Sequence, residues 1–179
     1  EDGYIQPADV TQAMATGARN MGAEIYRNTR VTAIQQKLSG EWVVITDKGD
    51  ITCEHVVSAT GSFARQTGDM VGLDIPVIPV QHQFIVTEPH PEIQQRQKDG
   101  LPEMGVLRES DGSWYLREEA GGLLLGPYEK GAPCCYVDGP EGEIEYELFQ
   151  EDLDRIELHI EAAINRVPAF SEVGVKNVY

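Results

Sequence analysis

The sequence is 179 residues long, with 14 Lys+Arg against 30 Asp+Glu and a formal charge of −16 at pH 7. The length allows one domain or two small ones with a sizeable core, and 41% apolar residues exclude a chain that is disordered by composition. The negative balance argues against nucleic acid, whose phosphates it would repel, and no run of about 18 apolar residues offers a membrane span.

In chain order, Pro7 suits the first turn of a helix, where its missing N–H costs nothing. Val10, Met14, Gly17 and Met21 then mark one helical face until Gly22 supplies a left-handed cap. Short extended pieces are expected at Ile25-Tyr26, Val31 to Ile34, Trp42 to Thr46, Ile51 to Cys53 and Val56 to Ala59. Asp47-Lys48-Gly49-Asp50 reads as a turn, which makes Trp42 to Cys53 a hairpin. After Asp74 the chain is punctuated by Pro76, Pro79, Pro89, Pro91 and Pro102, and a domain boundary is expected near residue 75. A long strand should run from Val77 to Thr87, with two more at Trp114 to Arg117 and Leu123 to Leu125 around a turn at Glu119-Ala120-Gly121-Gly122. Residues 131–145, rich in Gly, Pro and acids, read as an exposed loop.

A helix is expected from Leu148 to Val167, with Phe149, Leu153, Ile156, Ile160 and Ala163 on its apolar stripe and Pro168 as its stop. Ten acids and one base, Arg155, fall between residues 138 and 161. Asp152, Asp154, Glu157 and Glu161 lie off the stripe and should form a solvated face, not a metal cluster. Val173, Val175 and Val178 read as a final strand. The sequence opens at Glu1-Asp2-Gly3 without methionine and stops at Tyr179 inside that strand, so a fragment of a longer polypeptide is expected. Cys53, Cys134 and Cys135 make no disulfide framework, and a reducing compartment is the better expectation.

Three stretches could carry chemistry. His55-Val56-Val57-Ser58-Ala59-Thr60-Gly61 is an apolar strand ending in small residues, which lets a ligand approach the backbone; such stretches are more often plain strand-to-loop junctions. In the strand Val77 to Thr87, alternation puts His82 on one face with Ile78, Val80, Phe84 and Val86. An imidazole buried there without a partner would cost about 1–3 kcal/mol. Two roles are open to it: a core histidine bonded to a backbone carbonyl, or a base or substrate-orienting group facing a cavity. In Ser113-Trp114-Tyr115-Leu116-Arg117, Tyr115 and Arg117 share a face, where Tyr115 could bond a substrate and Arg117 pair with a carboxylate. An ordinary edge strand with one wet face explains the same pattern. No nucleotide loop, zinc motif or nucleophile elbow is present in the sequence.

Several runs together resemble the FAD-dependent glycine and sarcosine oxidase, or D-amino-acid-oxidase, superfamily. These are Asp2-Gly3-Tyr4-Ile5-Gln6-Pro7, Pro79-Val80-Gln81-His82-Gln83-Phe84-Ile85-Val86-Thr87, Tyr115-Leu116-Arg117-Glu118, Gly126-Pro127-Tyr128-Glu129 and Asp152-Leu153-Asp154-Arg155-Ile156. Within the superfamily they are most similar to the dimethylglycine and sarcosine dehydrogenase branch. The resemblance implies a mixed α/β fold, the central part of a two-domain flavoenzyme. Residues 1–74 would be the C-terminal part of the FAD-binding domain, with its Gly-rich loop upstream, and residues 75–179 a substrate-binding domain built on an antiparallel or mixed sheet. The implied cofactor is FAD, with tetrahydrofolate served by a downstream module in the dehydrogenases. The implied partner is a small amine substrate, with no nucleic acid and no membrane, in the bacterial cytoplasm or the mitochondrial matrix.

By the same resemblance, His82 and Tyr115 would be catalytic, and Val31, Ala59, Thr60, Gly61 and Phe63 would bind the cofactor. Phe63 departs from the Trp often found in relatives. Arg117 would be structural. The implied reaction is oxidation of the C–N bond of an N-methyl amino acid. A non-catalytic assembly subunit with the same fold and an oxidase for another small amino acid, such as glycine, are the alternatives.

Overall fold

The structure, a computed structural model, describes residues 4–142, 144 and 148–179. These fall into two compact units. One holds Ile5–Pro79 and the described residues of Cys135–Ile144; the other holds Tyr4, Val80–Cys134 and the described residues of Glu145–Tyr179. Both sheets are antiparallel, in a mixed α/β architecture.

The first unit opens with α1 (Pro7–Asn20), which has Pro7 and Asp9 in its first turn and Arg19 in its last, each charge placed to suit the helix dipole. None of its residues is buried, and the expected apolar face is open, with Met14 72% and Met21 90% exposed. Three strands follow, β1 (Val31–Gln36), β2 (Trp42–Thr46) and β3 (Gly49–Cys53), in the order β1-β2-β3. Thr46 pairs with Gly49, so Asp47-Lys48 is the two-residue hairpin loop, and Gly49 takes φ +129°. Ile25-Tyr26 and Val56 to Ala59, expected to be extended, belong to no ladder. A strand needs a neighbour to take its N–H and C=O groups, and these stretches have none among the described residues. Beyond them a 3-10 turn at Gly61–Phe63 enters α2 (Ala64–Asp69).

The second unit contains β4 (Ile85–Thr87), α3 (Pro91–Lys98), β5 (Leu107–Glu109), β6 (Trp114–Glu119), β7 (Gly122–Pro127), α4 (Glu157–Arg166) and β8 (Val175–Val178). Its sheet has the order β5-β6-β7-β4-β8. Burial along β6 alternates as its sequence pattern demands, with Trp114, Leu116 and Glu118 inward. Trp114 and Leu116 pack with Ile85, Leu123 and Leu125, and Ile93, Ile156, Ala163 and Phe170 complete the core.

Two elements are shorter than their sequence suggests. Of the strand expected from Val77 to Thr87 only Ile85–Thr87 is regular, and Val80 keeps a single bridge to Cys134. Pro76 and Pro79 have no N–H for a ladder, and the Val77 N–H turns back to the Ile75 carbonyl. The helix expected from Leu148 starts only at Glu157, after a 3-10 turn at Asp154–Ile156. The Gln83 side chain accounts for the late start: its Nε2 donates to the Asp152 carbonyl at 2.8 Å and its Oε1 accepts from the Asp152 N–H at 2.6 Å. Those backbone groups are thereby withdrawn from any helix. Phe149 and Leu153 remain exposed, while Ile156 and Ala163 are fully buried. Asp152, Asp154, Glu157 and Glu161 are all exposed, as a solvated face requires. Within the expected acidic loop, residues 143 and 145 lie outside the described residues, as do 146 and 147. The final strand has a partner, since β8 pairs antiparallel with β4 and Phe84 exchanges two 2.9 Å hydrogen bonds with Tyr179. No helix among the described residues is long and apolar enough to cross a membrane.

Candidate functional site

In the second unit, β6 and β7 pair so that Tyr115 stands opposite Gly126 and Arg117 opposite Leu124. The Tyr115 ring lies over Gly126, where a Cβ would fall 2.2 Å from both its Cε1 and its Cζ. Burial, followed by the neighbouring Tyr128, raises the Tyr115 pKa above its ordinary value, so the group is a neutral hydroxyl at physiological pH. Tyr128 follows β7 and joins the two residues singled out from the sequence. Its ring centroid is 5.9 Å from that of Tyr115 and 5.6 Å from that of His82, which it meets edge-on at 80°. His82 and Tyr115 thus belong to one aromatic cluster.

His82 is not an unpartnered imidazole among aliphatic residues. Its side chain is 33% exposed, and Nδ1 lies 2.9 Å from Oε2 of the buried Glu129. The buried histidine in this unit is His90, 3% exposed, whose Nδ1 accepts the Glu92 N–H and caps α3 and whose Nε2 lies 3.4 Å from Glu172 Oε2. Arg117 is already engaged. It lies 2.5 Å from Glu119, donates to the Glu118 carbonyl and stacks over the Tyr4 ring at 4.7 Å. These contacts leave it a structural role in place of the substrate pairing considered from its sequence position.

The other predicted residues lie in the first unit. Val31 opens β1 and is 36% exposed. Ser58, Ala59, Thr60 and Gly61 are all exposed and lead into the 3-10 turn, while Phe63 is half-buried. Thr60 Oγ1 sits 3.1 Å from both Ser58 Oγ and Thr67 Oγ1, and Gly61 adopts φ +55° with open space where a Cβ would stand. A cleft of about 420 Å³ beside this stretch is lined by Val56, Ser58, Thr67, Ile34 and Trp42, among others.

Comparison with known proteins decides the family: the profile described as "DAO: FAD dependent oxidoreductase" matches residues 1–178. The chain belongs to that family. Mitochondrial dimethylglycine dehydrogenase of Rattus norvegicus is 41% identical over 182 residues, covering 99% of this chain and 21% of the relative. Mitochondrial sarcosine dehydrogenase of Mus musculus is 31% identical over 182 residues, covering 99% and 19%. The chain therefore spans about a fifth of the length of these curated relatives. Among solved structures, L-proline dehydrogenase from P.horikoshii has the same fold, with a TM-score of 0.68 at 24% identity over 96% of this chain and 42% of that one.

A FAD dependent oxidoreductase must seat a large dinucleotide, and the Ser58–Gly61 stretch suits part of that task. Its side chains are small, its hydroxyls bond mainly to one another, and nothing crowds the Gly61 backbone. Three members of the cluster in the second unit were not singled out from the sequence: Tyr128, Glu129 and Arg155. Tyr128 and Glu129 close the Gly126-Pro127-Tyr128-Glu129 run, and Arg155 is the one base among ten acids between residues 138 and 161. That isolation was the available signal.

Proposed function

We propose that this chain is part of a flavin-dependent oxidoreductase that oxidises the C–N bond of an N-methyl amino acid, dimethylglycine or sarcosine. The supporting observation is 41% identity to dimethylglycine dehydrogenase over 99% of the chain. Residues 1–74 are read as the C-terminal part of the FAD-binding domain, with Val31, Ala59, Thr60, Gly61 and Phe63 as cofactor contacts. Residues 75–179 are read as the substrate-binding domain.

The chemistry FAD supplies when bound is acceptance of a hydride equivalent from the C–H bond beside the amine nitrogen, which leaves the substrate as an iminium. The residues of this chain bind and orient the amine. Tyr115, a neutral phenol, donates a hydrogen bond to the substrate, and a ring nitrogen of His82 takes the proton of the substrate ammonium. Loss of that proton leaves the uncharged amine, whose lone pair oxidation requires. The iminium then hydrolyses to formaldehyde or passes its carbon to tetrahydrofolate on a downstream module. The compartment assigned is the mitochondrial matrix in a eukaryotic source and the cytoplasm in a bacterial one.

The test uses the full-length parent. Its visible spectrum is recorded, and dimethylglycine or sarcosine is then added without oxygen. Bleaching of the flavin band supports the proposal and ranks the two substrates. A yellow protein that neither bleaches moves the substrate to glycine or another small amino acid. A colourless protein that gains no band with added FAD is the non-catalytic assembly subunit. His82→Ala should slow flavin reduction while FAD stays bound, and an unchanged rate would remove His82 from the site.

A further inference from the structure

Glu129 follows Tyr128, and its side chain is 3% exposed. Burying a carboxylate costs several kcal/mol unless it is paired, and the two oxygens of Glu129 take different partners. Oε2 is hydrogen-bonded to His82 Nδ1 at 2.9 Å, and Oε1 forms an ion pair at 2.9 Å with the guanidinium Nε of Arg155, itself 18% exposed, without hydrogen-bond alignment. The fold brings these groups together by a clamp next to His82. Gln83 grips both backbone groups of Asp152, the Arg155 N–H caps onto Asp152 Oδ1, and Ile156 is anchored in the core. Arg155 is thereby set on the far side of the carboxylate from His82.

An ionised carboxylate accepts and never donates, so in the neutral imidazole the proton must sit on Nδ1. The lone pair is then on Nε2, to which no hydrogen bond runs among the described residues. We infer that Glu129, held by Arg155, is a positioning residue: it fixes the tautomer and ring orientation of His82 and so leaves Nε2 as the nitrogen that takes the proton of the substrate ammonium. This rests on the reading of His82 as a substrate-facing group. The competing account is a purely structural pair, in which Glu129 and Arg155 tie the end of β7 to the turn before α4 and His82 is incidental.

A double-mutant cycle in the full-length, FAD-loaded enzyme separates the two. Replacing both charges by apolar groups of similar size, Glu129→Leu with Arg155→Met, leaves no buried charge unpaired and should preserve the fold. The readouts are the limiting rate of anaerobic flavin reduction by dimethylglycine, the amine Kd from its concentration dependence, and the melting temperature. The limiting rate should fall about 10- to 100-fold, the range known for loss of the partner that orients a metal-bound histidine. The Kd should change little, and the same pair placed on His82→Ala should cause no further loss.

Glu129→Gln conserves volume and one acceptor oxygen, so its rate should lie between that of the parent and that of the apolar pair. It also carries the cycle with His82→Ala if the apolar pair does not fold. An undiminished rate in the apolar pair, a Glu129→Gln rate as low as that of the apolar pair, or an added loss on the His82→Ala background would each overturn the inference. If His82→Ala itself reduces as fast as the parent, the reading of His82 falls and takes this inference with it. That pattern is distinct from a slow His82→Ala beside a fast Glu129 variant, which sinks the inference alone.

Discussion

In the proposed site, Tyr115 acts through a proton it does not lose. Burial and the adjoining Tyr128 raise its pKa, so across about pH 5 to 8, where histidine titrates, it stays a hydroxyl donor. Tyr115→Phe in the full-length enzyme should therefore lower flavin reduction about 3- to 10-fold, the worth of one neutral hydrogen bond, without displacing the pH profile. A displaced limb in the Phe variant would show that Tyr115 ionises during turnover. The linkage has a sign as well. A group whose folded pKa is raised stabilises the fold below its ordinary value, here 10.0, and that contribution is lost as pH rises through the folded pKa. Melting temperature should thus fall more steeply above that pH in the parent than in Tyr115→Phe, which calorimetry would record.

At the scale of elements, the β6–β7 hairpin carries the site because one strand supplies a ring and the other supplies the space for it. Gly126 has no side chain where Tyr115 stacks, so Gly126→Ala must push the ring aside or shift the strand. Its flavin-reduction rate should drop as far as that of Tyr115→Phe, and the two changes combined should cost no more than either alone, because they remove the same contact. Additive losses would mean that Gly126 acts elsewhere. This hairpin was legible in the sequence because its signals are local: alternation through Trp114–Glu119, a glycine turn, and a second apolar run. The Asp47-Lys48 hairpin was legible for the same reason. Val56 to Ala59 has an equally strong strand pattern and forms no ladder, because pairing depends on a neighbour that its own residues do not encode. The start of α4 was hidden likewise, fixed by Gln83, a side chain distant in sequence. His82 could be singled out by spacing, whereas its attachment to Glu129 and Arg155 depends on tertiary contact, and only the oddity of a lone base among acids marked Arg155.

Across the whole molecule, apolar exposure and charge oppose each other. Met14, Met21 and Val57 in one unit and Leu158 in the other are 72–90% exposed, apolar surface that copies of the chain can bury against one another. Against that stands the net charge of −16, whose self-repulsion keeps copies apart as long as it is unscreened. Raising salt from about 0.01 to 1 M shortens the screening length from roughly 30 to 3 Å and leaves the apolar contacts untouched. The 179-residue chain made on its own should therefore be monomeric at low salt and associate as sodium chloride is added, with its light-scattering mass rising several-fold. It should bind an apolar dye at both salts, because these side chains are exposed in either condition. A chain that stays monomeric at both salts and binds no dye would show that these exposed side chains do not drive association.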